Sequence, residues 1–339
     1  MSTRDPAARS VVPGIELIDV VKYLGDERVL RGVSFEAGLG QITVLLGPSG
    51  VGKTTCLRTV TGLLAPDRGD VLVEGRSTLT MRKGTRRALS RRFGVLLQGT
   101  GLYGSALWDS MTVEDNLVYQ LNALTDGVSE PELRARSLDY LRFVGLGETA
   151  RQMPAELSAG TRRRVALARA LVADPEFAVI DSFELGVDHV RVSGLCTLIE
   201  RRHAEIGGTY LIATQNMEVA RRLADHVVVL WAGRVLEQGP ADDVLHSLTP
   251  EVKQLISGDV SGPLGLGTRR PAGVRPVPTS IVEQDLELPI PLVAYIVLVA
   301  LTASVFILGA AHTPELVLLI VTWVGAGVTL VRRYRRAGS

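Results

Sequence analysis

The sequence predicts an α/β architecture followed by a two-helix membrane hairpin. Three observations carry that expectation. Short apolar, β-branched runs alternate with charged, helix-periodic stretches through most of the chain. One such run feeds directly into a glycine-rich loop and then into helical spacing. A long uncharged segment lies toward the C-terminal end. The 339 residues allow two domains, or one large domain with an appendage.

Bulk composition narrows the function classes. Lys and Arg number 37 against 36 Asp and Glu, a formal charge of +1. A nucleic-acid partner is not expected from that balance, because phosphate neutralisation normally demands a basic excess. Cys56 and Cys196 lie far apart without CxxC or Cys/His spacing, so neither a disulfide framework nor a structural zinc site is expected. Mean hydropathy is +0.22, with 46% hydrophobic but only 5% aromatic residues. That excess calls for a membrane segment. The first 14 residues carry no apolar core behind their charges, so no secretory signal is expected there.

Taken in order, the first informative element is Gln41–Leu46, a β-branched and apolar run that reads as a buried strand. Gly47-Pro48-Ser49-Gly50-Val51-Gly52-Lys53-Thr54-Thr55 comes next, and the residues from Cys56 onward have helical spacing. Strand, GxxxxGK[ST] loop and helix together specify a phosphate-binding loop. Its glycines let successive N–H groups converge on phosphate oxygens, and the helix N-terminus adds partial positive charge. Lys53 would reach the β- and γ-phosphates and the Thr54 hydroxyl would ligand Mg²⁺, so ATP and Mg²⁺ are the expected cofactors. A basic run, Arg82 to Arg92, reads as a solvated helix face near anionic lipid or neighbouring subunits.

Further segments then come in an order that resembles the ATP-binding subunits of ABC transporters, over about Ile15 to Gln254. Leu157-Ser158-Ala159-Gly160-Thr161 and the helix after it resemble that family's signature segment. Phe177–Asp181 resembles its Walker B strand, Gln98 its Q-loop glutamine, and Asp188 its D-loop aspartate. Tyr23 stands where the family has an aromatic that stacks on adenine. The resemblance implies a phosphate-loop NTPase fold of ABC type, with a RecA-like core and a helical subdomain. It implies nucleotide contacts from Tyr23, Gly47, Ser49, Gly50, Gly52, Lys53, Thr54, Thr55, Gln98, Ser158, Gly160 and Asp181, with Thr54, Gln98 and Asp181 serving Mg²⁺. It also implies two partners: a transmembrane permease and a second ATP-binding subunit, identical or different. A narrower likeness, in Leu96–Gly104 and Val252–Pro263, is to ATPases of Mla/Mce-type lipid transporters, which implies MCE-domain lipid-binding proteins as further partners.

Two departures touch the chemistry. The family places Glu directly after the Walker B Asp, where it polarises the attacking water; this chain has Ser182. A positioned general base contributes about 10²–10⁴-fold in rate, which a serine hydroxyl cannot supply. The family's switch histidine, expected after Tyr210–Thr214, is Gln215, an amide that donates a hydrogen bond but carries no proton. Glu184 reads as a solvated loop carboxylate: on a continued strand residues 182 and 184 face the same way but stand about 6–7 Å apart, a long reach for a substitute. ATP binding with weak hydrolysis at this chain's own Walker site is the expectation. Two readings stay open: an energy-coupling subunit, or a non-hydrolysing regulatory or scaffold subunit.

The C-terminal quarter departs from this pattern. Residues 258–288 are rich in Gly and Pro and read as a linker after a nucleotide-binding domain at 15–257. Pro289–Ala311 gives 23 uncharged residues, where about 20 span a bilayer as a helix. Leu316–Val331 gives a second run of 16 ahead of Arg332, Arg333, Arg335 and Arg336. A hairpin at 289–331 anchoring the chain on the cytoplasmic face of the cell membrane is the expectation.

Overall fold

The computed structural model describes residues 13–97, 107–125, 127–259 and 261–264. Two long strands open the chain, β1 (Pro13–Leu24) and β2 (Glu27–Gly38), followed by β3 (Ile42–Leu46) and helix α1 (Lys53–Val60). Next come β4 (Arg68–Val73), β5 (Arg76–Ser77), α2 (Lys83–Ser90), β6 (Phe93–Leu96), α3 (Val113–Leu124), α4 (Glu130–Phe143) and α5 (Ala159–Leu171). The remainder comprises β7 (Phe177–Asp181), α6 (His189–Ile206), β8 (Thr209–Thr214), α7 (Met217–Leu223), β9 (His226–Trp231), β10 (Arg234–Pro240), α8 (Ala241–Leu245) and α9 (Pro250–Ser257).

These strands form two sheets. An antiparallel sheet runs in the order β2-β1-β4-β5, and a six-stranded sheet in the order β10-β9-β3-β8-β7-β6. In the larger sheet β3 pairs in parallel with β8 and β9, and β7 with β8 and β6; only β10 at the edge is antiparallel. Every residue of β3, β7 and β8 is buried. Their sequences are accordingly near-continuous apolar runs rather than alternating ones, as strands covered on both faces require.

Each face of that sheet has its own core. On one side Ile15, Leu17, Val33 and Phe35 of the antiparallel sheet meet Leu45, Leu57, Val179 and Leu211. On the other, Val44, Ile180 and Ile212 meet Leu117, Leu141, Leu167 and Ile199 from the helices. The helices start where the sequence supplies caps. Thr112 accepts from the Asp115 N–H to open α3, Ser158 from Thr161 to open α5, and Asp188 from Arg191 to open α6. Fully buried Asn116 bonds the Trp108 N–H and the Trp108, Met111 and Thr112 carbonyls, pinning the residues ahead of α3 to the subdomain. None of the residues of α2 is buried, which leaves its basic run solvated.

The expected C-terminal hairpin is corrected. Residues 289–331 lie outside the described residues, and among the described residues no helix is long and apolar enough to cross a membrane. The longest, α6 with 18 residues, seats Val192, Leu195, Cys196 and Ile199 on the core. It also carries Arg191, Glu200, Arg201, Arg202 and Glu205, which a span of about 20 apolar residues would exclude. Among the described residues the fold is the α/β core with its helical subdomain, with no membrane-crossing hairpin added to it, and the hairpin-anchored location falls with that expectation. The stretch expected as linker begins where α9 stops at Gly258, whose φ of 73° is left-handed. Buried Gln254 then secures the start of that stretch, donating to the Asp259 carbonyl and accepting from the Leu264 N–H.

The stacked pair Phe93–Phe177, ring centroids 5.0 Å apart, joins β6 to β7 under the Arg92 guanidinium, which bridges Glu74 and Glu176. Phe177 is 1% exposed. Phe177→Ala is expected to cost about 3–5 kcal/mol, read as a lower urea midpoint; a loss under about 1 kcal/mol would contradict this packing.

Candidate functional site

The site forms where parallel strands end. Leu46 of β3 lies opposite Thr214 of β8, and Asp181 of β7 opposite Ala213, so three strand C-termini meet at one edge of the sheet. Open α/β sheets bind ligands at that edge. The glycine-rich loop leaves β3 here. Gly47 donates its N–H to the Thr214 carbonyl, and a Cβ at position 47 would stand 2.3 Å from the Leu230 carbonyl oxygen. Gly50 and Gly52 take φ of 80° and 108°, which only glycine adopts without strain. Gly52 is the N-cap of α1 and supplies no side chain, and the first turn carries no acidic residue. The amino end of α1 therefore carries its N–H donors without a side-chain cap or an acidic neighbour, the form that binds an anion.

Lys53 is buried at the mouth of the loop, its ammonium donating to the Gly47 and Pro48 carbonyls at 2.7 and 2.8 Å. Burial pushes its pKa down, while Asp181 and Glu184 oppose that shift. The Thr54 hydroxyl donates to Asp181 Oδ2 at 2.6 Å, joining the loop to β7. Ser182 donates its hydroxyl to the other oxygen, Oδ1, at 3.1 Å. Both carboxylate oxygens of Asp181 therefore have a partner.

Glu184 is brought back into this group. Ser182 extends the ladder by one bond, its N–H donating to the Ala213 carbonyl, and then turns at a φ of 46°. Phe183 dives into the core with no exposure, and the Leu185 N–H closes the turn on the Ser182 carbonyl. Glu184 Oε1 then accepts a hydrogen bond from the Thr214 hydroxyl, at the end of β8. Burial pushes its carboxyl above the usual carboxylate value, with the Thr214 bond pulling the other way. Arg163 of α5 reaches the same turn and donates to the Asp181 and Ser182 carbonyls, each at 2.6 Å.

Of the residues expected from sequence, Lys53, Thr54, Asp181, Ser182 and Glu184 converge. Gln215 comes directly after Thr214 and is exposed, just ahead of Asn216, the N-cap of α7. Ser158 uses its hydroxyl to cap its own helix, and a Cβ at Gly160 would meet nothing within 4 Å. Tyr23 is 45% exposed near the end of β1, its N–H held by Asp67. Gln98 lies outside the described residues. Arg163 and Thr214 were not legible as site residues. Arg163 sits in the triplet Arg162-Arg163-Arg164, where nothing marks the one that turns inward, and Thr214 reads only as the last residue of a strand.

A metal fits this donor set in one form only. Among the described residues no group of three or more His, Cys, Asp or Glu could hold a metal ion. A hydroxyl and one carboxylate suit Mg²⁺, which is held by one or two protein oxygens together with substrate phosphates and water.

Comparison with known proteins agrees with this geometry. Residues 30–183 match the profile of the family described as ABC transporter. The chain is 35% identical over 256 residues to the probable ribonucleotide transport ATP-binding protein mkl of Mycobacterium leprae, covering 76% of this chain and 72% of that one. It is 32% identical over 265 residues to the intermembrane phospholipid transport system ATP-binding protein MlaF of Escherichia coli K12, covering 78% and 96%. It is 34% identical to the methionine import ATP-binding protein MetN of Mesorhizobium japonicum, covering 76% and 68%. The dimeric structure of MJ0796, a bacterial ABC transporter cassette, superposes with a TM-score of 0.62 at 27% identity, over 67% of this chain and 98% of that one. That neighbour supports the RecA-like core with its helical subdomain.

The loop generates two expected outcomes. Lys53→Ala should weaken MgATP binding about 10- to 100-fold by calorimetry, the loss of one charged hydrogen bond; unchanged affinity would contradict the assignment. Burial pushes the Cys56 and Cys196 thiols up to about 12. Both should resist alkylation at pH 8 in the folded chain and react after unfolding in urea.

Proposed function

The chain belongs to the ABC transporter ATP-binding family, and from that premise we propose that it couples ATP to lipid transport through a membrane permease. Binding of ATP and Mg²⁺, and the role of ATP-binding subunit, come with the family. The observation that carries the reading is the bond from Thr54 to Asp181 beside an uncapped helix N-terminus. It ties the phosphate-binding loop to the carboxylate strand, in the arrangement a nucleotide triphosphate and its metal need.

The roles assigned to individual residues belong to this proposal. Backbone N–H groups from Gly47 to Thr55 cradle the phosphates, with Lys53 on the β- and γ-phosphates. Thr54, Asp181 and Gln98 serve Mg²⁺, which when bound neutralises charge on the phosphate oxygens. Tyr23 stacks on adenine. Ser158 and Gly160 face the nucleotide of a second ATP-binding subunit, and closure of the two subunits on ATP drives the permease. The nucleotide-binding domain is taken as 15–257, and it reaches the membrane through the permease.

The names of the relatives divide over cargo: ribonucleotide, phospholipid and methionine. Lipid is favoured by the alignment that runs over 96% of MlaF. MCE-domain lipid-binding proteins are then the accompanying partners. Affinity purification from membranes should recover a permease together with such proteins. Recovery with an amino-acid or nucleotide permease would overturn the cargo, and recovery without any permease would support a scaffold subunit.

Hydrolysis at this chain's own Walker site is proposed to be slow, because Ser182 takes the position of the usual glutamate and its hydroxyl is bonded to Asp181. That same observation favours a second reading, a regulatory subunit whose ATP closes the dimer with little turnover. Turnover of the purified chain is expected about 10²–10⁴-fold below that of a cassette with a glutamate at that position. Ser182→Glu should raise it; an ordinary family rate in the unaltered chain would overturn slow hydrolysis.

A further inference from the structure

A carboxylate in the wrong place by sequence stands in a useful place in space. Glu184 lies two residues beyond the position that normally bears the glutamate, yet the turn at Ser182 returns it to the strand ends. Only one of its oxygens is engaged: Oε1 accepts from Thr214, and Oε2 is buried with no hydrogen-bond partner among the described residues. A carboxylate accepts up to about four hydrogen bonds, and a buried oxygen left bare loses its hydration without replacement. A donor that arrives with the substrate would make up that loss.

Two cations nearby oppose the effect of burial on its carboxylate. Lys53 from α1 and Arg163 from α5 both lie within electrostatic reach of Glu184 and of Asp181. Neither is bonded to the carboxylate. Lys53 donates to Gly47 and Pro48, and the Arg163 Nη2 atom donates to the carbonyls of 181 and 182. Arg163 thus fixes the turn and leaves Oε2 open. Ser182 cannot compete for the role, because its hydroxyl is donated to Asp181. Phe183 completes the device: its fully buried ring anchors the turn, so the side chains on either side of it face the site.

We propose that Glu184 orients the attacking water in this chain, replacing the carboxylate missing at position 182 and sustaining the residual hydrolysis. The inference rests on the ATPase reading of the site. The water oxygen bonds to the γ-phosphorus as the bond from that phosphorus to the β–γ bridging oxygen breaks. The electron pair of the broken bond leaves with ADP, and one water proton passes to Glu184 Oε2 and then to solvent. Thr214 and Arg163 are positioning residues: the first holds Oε1, the second the backbone of the turn.

The test uses the full-length chain with Mg²⁺ and ATP, comparing the unaltered protein with Glu184→Gln and with Ser182→Glu/Glu184→Gln. Two readings are taken: turnover, and the nucleotide retained after gel filtration, separated by chromatography. The unaltered chain is expected to retain ADP. Glu184→Gln should retain ATP and lose at least about tenfold of the turnover, less than the roughly 10²–10⁴-fold that a base at the usual position contributes. The double variant should recover turnover and ADP, since it restores a carboxylate at 182 without restoring the bond to Thr214. Equal turnover and ADP retention in Glu184→Gln would overturn the proposal. So would a double variant that stays inactive while binding ATP, because Glu184 would then matter only for the fold of the turn. An unaltered chain that binds ATP but retains it uncleaved would overturn it too. Failure of the unaltered chain to bind ATP at all would instead bring down the ATPase reading itself.

Discussion

The bond between the Thr54 hydroxyl and Asp181 Oδ2 is the joint on which the site depends. It links two elements 127 residues apart in sequence, the first turn of α1 and the last residue of β7. Neither reaches the other unless the sheet is built in the order β3-β8-β7, with every strand parallel and in register. Burial of those strands on both faces enforces that order: the antiparallel sheet and α1 cover one side, the helical subdomain the other. A shift of the ladder by one residue would turn each strand over and send Asp181 into an apolar core.

Around that joint the polar groups are arranged to keep one side of the loop bare. The carbonyls of Gly47 and Pro48 hold Lys53, and Thr54 and Ser182 together saturate Asp181. The amino end of α1 keeps its donors free because glycine, not Ser or Asp, stands at its cap. The starts of α2, α4, α8 and α9 likewise lack a side-chain cap, while those of α3, α5 and α6 differ. Thr112, Ser158 and Asp188 each spend a side-chain oxygen on their own helix. What distinguishes the start of α1 is the glycine-rich loop that leads into it, which suits its N–H donors to phosphate.

Legibility in the sequence tracks the range of the interaction. The loop at Gly47–Thr55 is readable because its chemistry is local: fixed spacing, glycines at left-handed positions, a strand before and a helix after. The buried strands Phe177–Asp181 and Thr209–Thr214 are readable for the same reason. The β1–β2 hairpin carries only a local signal, the alternation of Ile15, Leu17, Val33 and Phe35 expected of a half-buried sheet. The return of Glu184 could not be read, because it depends on a positive φ at Ser182 and on Phe183 finding a place in the core. Arg163 is hidden among like charges. Hydropathy at 289–331, taken alone, leads to a hairpin that the described helices do not supply.

If Glu184 takes over from the usual position, loss of the familiar glutamate marks a relocated carboxylate rather than an inert site. A structure of the full chain with Mg²⁺ and a non-hydrolysable ATP analogue, resolved well enough to show waters, tests that claim most directly. A relocated carboxylate predicts an ordered water in line with the γ-phosphorus and within hydrogen-bond distance of Glu184 Oε2, with Oε1 still on Thr214. A water held there by Ser182 or Gln215, with Glu184 turned away from it, would contradict the relocation.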